Sequence, residues 1–153
     1  MIDSVTVAPC PPDDPALAAL VAEQQREIIE AEGPGAVVFA LHDGIAFVLA
    51  RVGGQPVGCG ALQPLGDGYG EVKRMYTAPA WRGRGLARQV LAALERQAGA
   101  AGWHTLRLET GRDMPAAVAL YTAAGFREIP NFGQYVGYPA SLCMEKSIIS
   151  AGV

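Results

Sequence analysis

Cysteine is scarce in this chain. Cys10, Cys59 and Cys143 are odd in number, far apart, and without any Cys-x-x-Cys pair, and His42 and His104 are the only imidazoles. That pattern speaks against a disulfide framework and against a zinc site, so no metal is expected and the cysteines read as small, reduced, apolar residues. A basic excess is also missing. The formal net charge is −3, which removes the general attraction that nucleic-acid-binding proteins use, so any anion site has to be local. No segment approaches the roughly 18 consecutive apolar residues of a membrane span. The start, Met1-Ile2-Asp3-Ser4, lacks the basic region and apolar run of a signal peptide. A cytoplasmic chain with no nucleic-acid and no membrane partner is therefore expected.

What is present suits a compact fold. Half of the 153 residues are hydrophobic and 18% are charged, an ordinary globular balance at the length of one domain, here residues 1–153. Ile2 to Val7 alternates apolar and polar side chains and predicts a strand stopped by the Pro9 to Pro12 cluster. Asp14 before Pro15 reads as a helix cap with proline at the first helical position. Leu17, Leu20, Val21, Gln24 and Ile28 follow at helical spacing, and Gly33 supplies a stop. Gly44 to Gly70 predicts a meander: Ala46 to Val52, a turn at Gly53-Gly54, Pro56 to Gln63, and a turn at Gly66-Asp67-Gly68.

Glu71 to Thr77 continues as a strand. After Pro79 the period becomes helical from about Gly83 to Gly99, and a short strand follows at Thr105 to Glu109. Asp113-Met114-Pro115 repeats the cap-plus-proline signal before a helix ending at Gly125, and strands are expected near Phe126 to Ile129 and Ser141 to Lys146. This order predicts an α/β (α+β) domain with a mixed, mainly antiparallel sheet and helices on both faces.

Arg82-Gly83-Arg84-Gly85 falls between a strand and a helix, where unpaired backbone N–H groups and the positive end of the helix dipole make an anion site. Arg82, Arg84 and Arg88 add guanidinium groups able to fork onto phosphate oxygens, so a pyrophosphate suits the cluster. A dinucleotide-binding unit is the competing reading, with Glu109 as its acidic residue. Three features oppose it: Arg88 replaces the third glycine, the loop from Thr77 to Arg82 is too long, and too little chain remains for a second half-sheet.

Arg82-Gly83-Arg84-Gly85-Leu86-Ala87 resembles the Gln/Arg-x-x-Gly-x-Gly/Ala signature of the GNAT N-acetyltransferase superfamily. Glu71-Val72-Lys73-Arg74-Met75-Tyr76 is similar to that family's central strand, and Ala119-Leu120-Tyr121 with Gly125-Phe126 to its last helix and turn. Ser141-Leu142-Cys143-Met144-Glu145-Lys146 resembles its closing strand, so the similarity runs from about Gly53 to Lys146. The resemblance implies the acyl-CoA N-acyltransferase fold, acetyl-CoA as cosubstrate, and direct attack of a primary amine in a ternary complex. It also implies that the main chain of Met75, Tyr76 and Thr77 binds the pantetheine arm as an added strand would, while the amides from Gly83 through Leu86 and Ala87 to Arg88 take the pyrophosphate.

Tyr121 matches the tyrosine that protonates the leaving thiolate in many members. Glu71 stands at the spacing from Arg82 at which the histone-acetylating branch places its glutamate base. An amine with a pKa near ~10.4 needs such an acceptor at neutral pH. Met114 departs from the pattern, since many relatives carry there an asparagine that bonds the pantetheine arm. Acceptor recognition falls on about Gln24 to Glu32 and Asn131 to Tyr138, with Asn131, Phe132, Gln134, Tyr135 and Tyr138 as walls and polar tips. A small-molecule amine or amino acid is the expected partner, and a homodimer is an assembly the family often adopts. The alternative is a non-catalytic acyl-CoA-binding sensor that keeps the cleft without the acceptor chemistry.

Overall fold

The computed structural model describes residues 4–33, 39 and 41–148. Among these, seven strands form one sheet: β1 Val5–Cys10, β2 Ala46–Val52, β3 Gln55–Gly66, β4 Tyr69–Thr77, β5 Thr105–Gly111, β6 Arg127–Ile129 and β7 Ser141–Ser147. Their spatial order is β1-β2-β3-β4-β5-β7-β6. β4 and β5 run parallel and the other neighbours antiparallel. The helices are α1 Pro15–Glu32, α2 Leu86–Ala100 and α3 Pro115–Ala123. α2 is the crossover between the two parallel strands, which a short hairpin could not join. None of the helices is long and apolar enough to cross a membrane.

Strand alternation places the layers. In β2, Phe47 and Leu49 point to one face and pack with Leu17 and Leu20 of α1 and with Cys59 and Ala61 of β3. Val48, Ala50 and Val52 point to the other and join Leu86, Val90, Leu91 and Leu94 of α2 and Tyr121 of α3. Covered on both sides, β2 is apolar almost throughout. The expected mixed sheet with helices on both faces is what forms.

The first helix begins as its sequence predicts. Asp14 Oδ1 accepts from the amides of Ala16 (2.8 Å) and Leu17 (3.2 Å), satisfying donors that the helix itself leaves unpaired. Asp14→Ala is therefore expected to cost about 1 kcal/mol of stability, read as a lower urea midpoint at unchanged slope.

Other boundaries differ, each for a local reason. β1 runs through Pro9 to Cys10 because it is an edge strand, where a missing N–H costs no ladder bond; Ile2 and Asp3 of the expected strand lie outside the described residues. α2 starts at Leu86 rather than Gly83, since Gly83 and Gly85 both take left-handed backbone angles. The residue capping α3 is Met114 rather than Asp113, and it makes no side-chain capping bond.

Candidate active site

β4 and β5 pair only from Tyr69↔Thr105 to Val72↔Leu108. Beyond that point they part. β5 continues alongside β7, Glu109 opposite Cys143 and Gly111 opposite Ser141, while β4 is turned by a bulge. Its register with β3 steps from Ala61↔Lys73 to Cys59↔Tyr76, so Gly60 faces both Arg74 and Met75. Arg74 sits at the bulge with φ 56°, in the left-handed region that non-glycine residues rarely enter. The result is a cleft with the main chain from Lys73 to Thr77 along one wall. Two carbonyls of that wall already hold a side chain: Met75 O accepts from Gln24 Nε2 (2.8 Å) and Thr77 O from Arg82 Nε (3.0 Å). A carbonyl has a second lone pair for another donor.

The glycine loop stands at the end of this wall. Gly83 (φ 78°) and Gly85 (φ 79°) use an angle that L side chains avoid, and a Cβ on either would meet no other atom within 4 Å. They therefore shape a turn and leave its outer side open. The amides from Gly83 to Arg88 find no acceptor among the described residues; the first helical bond of α2 is Gln89 N to Gly85 O. These donors, with the dipole of a 15-residue helix behind Leu86, converge as an anion site requires. Leu86 drives its side chain into the core, while Ala87 and Arg88 continue the first turn.

The arginines do not act alike. Arg82 is tied down by Thr77 O and by Glu27 of α1, with Nη2 at 2.8 and 3.1 Å from the two carboxylate oxygens, and it lies 5.5 Å from the Tyr76 ring centre. The Tyr76 hydroxyl donates to the same carboxylate. The Tyr76 bond and Arg82 hold Glu27 below the ordinary carboxylate range, while burial and the bond to Glu27 push the Tyr76 phenol up. Arg84 stacks on Trp81 at 4.9 Å. Arg82 thus joins the loop to α1 and β4, an arrangement of residues far apart in sequence that no local spacing rule announces.

On the α1 face, at the root of the cleft, a polar cluster lies under the loop after β6. Glu71 is 4% exposed and Lys73 8%. The hydroxyl of buried Tyr135 donates to Glu71 Oε2 at 2.5 Å and accepts from Lys73 Nζ at 2.9 Å; Lys73 also reaches Glu71 Oε2 at 3.4 Å. Glu109 of β5 accepts from Ser141 Oγ at 2.5 Å, and burial raises its pKa above the usual carboxylate range. Tyr135 is ringed edge-on by Phe39 and Phe132, and Asn131 Nδ2 holds the loop by the carbonyls of Tyr135 and Tyr138. Glu109 shares a strand face with Thr105 and Arg107, opposite the core residues Leu106 and Leu108, and the sequence announced neither its place in this cluster nor the Tyr135 contact.

Tyr121 lies on the opposite face. It is 7% exposed and meets Phe126 edge-on at 5.9 Å. Ala117, Val118, Leu120 and Ala124 pack against the same core. Burial alone raises the Tyr121 pKa and keeps its phenol neutral.

A sequence model of the Acetyltransferase (GNAT) family matches residues 14–126. The protein named IAA acetyltransferase from Azospirillum brasilense is 45% identical over 105 residues, which span 68% of this chain and 69% of that protein. A solved acyl-CoA N-acyltransferase candidate from Klebsiella pneumoniae is 35% identical with a TM-score of 0.83, covering 95% of this chain and 98% of that one. The fold alone is shared with a GNAT family acetyltransferase from Elizabethkingia anophelis solved with acetyl-CoA bound, at 18% identity, a TM-score of 0.71, and coverage of 95% and 99%.

Proposed function

Because the chain belongs to the acetyltransferase (GNAT) family and is an N-acetyltransferase that uses acetyl-CoA, we propose that it acetylates the primary amine of a small molecule or amino acid, with Tyr121 as general acid and Glu71 as general base. One observation carries the reading: the parting of β4 and β5 ends at a glycine loop whose amides, Gly83 to Arg88, have no acceptor among the described residues. An extended ligand with a diphosphate at one end suits that shape, the arm along Met75, Tyr76 and Thr77 and the phosphates on the loop. Arg84 and Arg88 flank the loop, and Arg82 braces it. Residues 1–153 are read as one such domain, working in the cytoplasm without nucleic acid or membrane.

Bound acetyl-CoA supplies a thioester carbonyl open to attack by a neutral amine, with the coenzyme departing as a thiol. Glu71 accepts the amine's proton directly or through a water. Both of its recorded side-chain contacts fall on Oε2, which leaves Oε1 for that proton. Tyr121 donates its phenolic proton toward the departing sulfur and regains one from solvent. The roof of Phe39, Phe132 and Tyr135 over the polar cluster suits a compact acceptor better than a polypeptide loop.

Thermal unfolding with acetyl-CoA tests the first link. At a hundred times its dissociation constant a ligand stabilises the native state by about 2.7 kcal/mol, a rise in Tm of roughly 5–10 °C for a chain of this size. Acetyl transfer to a panel of amines, amino acids and peptides then tests the second. No rise at millimolar acetyl-CoA would remove the loop as a coenzyme site.

A further inference from the structure

Three buried side-chain polar atoms among the described residues have no hydrogen-bond partner: Gln24 Oε1, Gln25 Nε2 and Arg74 Nε. Two of the three belong to adjoining residues: Gln24 Nε2 donates to the carbonyl of Met75, the residue after Arg74. Leaving such groups unsatisfied is costly, most of all for a charged one. Arg74 is also held at the β4 bulge with a positive φ, and backbone strain of that kind gathers at ligand sites.

The bulge decides where this cation sits. Cys59 Sγ donates to the Arg74 carbonyl at 3.4 Å, Arg74 has the Tyr135 hydroxyl and the Cys59 thiol as its titratable neighbours, and both belong to the α1 side of the sheet. Its charge therefore faces the polar cluster, across the sheet from α2. No carboxylate among the described residues pairs with it: Glu71 holds Lys73 and Tyr135, Glu109 holds Ser141, and Glu27 holds Arg82 and Tyr76. Burial lowers its pKa, but a guanidinium stays charged at neutral pH. An unpaired, partly desolvated guanidinium with Nε free matches one partner above others, a planar carboxylate that can fork onto it.

We propose that Arg74 is the carboxylate-binding residue of the acceptor site, and that the acceptor is an amine that also carries a carboxylate, an α-amino acid or a related amino-carboxylic acid. This deepens the acetyl-transfer reading above and rests on it. A second orphaned atom suits the same ligand. Gln24 Oε1 is an acceptor for an N–H of the amine, fixed beside Met75 where β4 borders the cleft.

The test is calorimetric. With coenzyme A in excess, N-acetyl-amino acids with acidic, basic, aromatic and aliphatic side chains are titrated into the full chain, each beside its N-acetyl-amino acid amide. At least one free acid is expected to bind about tenfold or more tightly than its amide, because only the acid presents a charged fork to Arg74. Arg74→Gln should erase that preference and Arg74→Lys restore part of it, with coenzyme A affinity unchanged in both. Acid and amide binding alike, no free acid binding at all, or an Arg74→Gln change that weakens coenzyme A instead would each overturn the inference. The acid–amide comparison needs no variant to fold. Coenzyme A is titrated separately: its failure to bind counts against the acetyl-transfer reading, and the acids are then titrated into the chain alone, where the same preference decides the Arg74 inference by itself.

Discussion

Tyr121→Phe is expected to lower kcat by about 10²–10⁴-fold, the usual worth of a positioned general acid, with little change in KM for acetyl-CoA. The split between the two constants is the informative part. The phenol oxygen is one atom in a side chain whose ring is otherwise core, packed on Phe126 and 7% exposed. Phenylalanine fills the same space, so fold and coenzyme cleft survive and only the proton donor goes. A loss confined to kcat is the mark of an interaction made in the transition state alone; an unchanged kcat would take Tyr121 out of the chemistry and leave it a core residue.

The same variant has a signature in stability. Burial raises the folded pKa of Tyr121 above the roughly 10 of an unfolded tyrosine. A raised folded pKa means that the stabilisation is fully present below the unfolded value and is lost as the pH climbs through the folded one. Above about pH 10, wild type should therefore lose more stability than Tyr121→Phe, a difference that urea titrations at pH 8 and pH 10.5 would reveal.

The elements most legible in the sequence are those with local causes. Asp14, Pro15 and Gly33 mark both ends of α1 because capping and termination act within one turn, and the turns around Gly53-Gly54 and Asp67-Gly68 separate three consecutive strands. The glycine loop was legible as a turn for the same reason: Gly83 and Gly85 take left-handed backbone angles between a strand and the start of α2. Long-range chemistry was not. The bond from Tyr135 to Glu71 joins residues 64 apart, and Arg82 meets Glu27 across 55. The bulge at Arg74 is hidden too, for it arises from how Gly60 of β3 meets β4. A Cβ on Gly60 would come within 2.8 Å of Val90 and 2.9 Å of Met75, so α2 closes on the sheet only if that position is bare. The sequence shows a glycine in a strand; only the packing shows that it makes room for the helix that follows the glycine loop.

Gly85→Val is expected to abolish coenzyme binding while leaving a folded chain. Gly85 takes φ 79° as the residue capping α2, where a β-branched side chain is strained by about 1–2 kcal/mol. That is too little to unfold an ordinary domain, whose stability is about 5–15 kcal/mol. No atom lies within 4 Å of the position its Cβ would take, so the substitution displaces no packing. It instead puts methyl groups over the amides from Gly85 to Arg88, where a diphosphate has to approach, and it biases the loop away from the left-handed turn that aligns them. Gly102→Val supplies the control. Gly102 has φ 83° and equally open surroundings at the far end of α2, so it carries similar strain without touching the loop. Both variants should lose a similar few degrees of Tm, but only Gly85→Val should lose the further rise with acetyl-CoA. If both keep that rise, the diphosphate does not rest on these amides; if both lose it, strain in α2 rather than blockage of the loop is the cause.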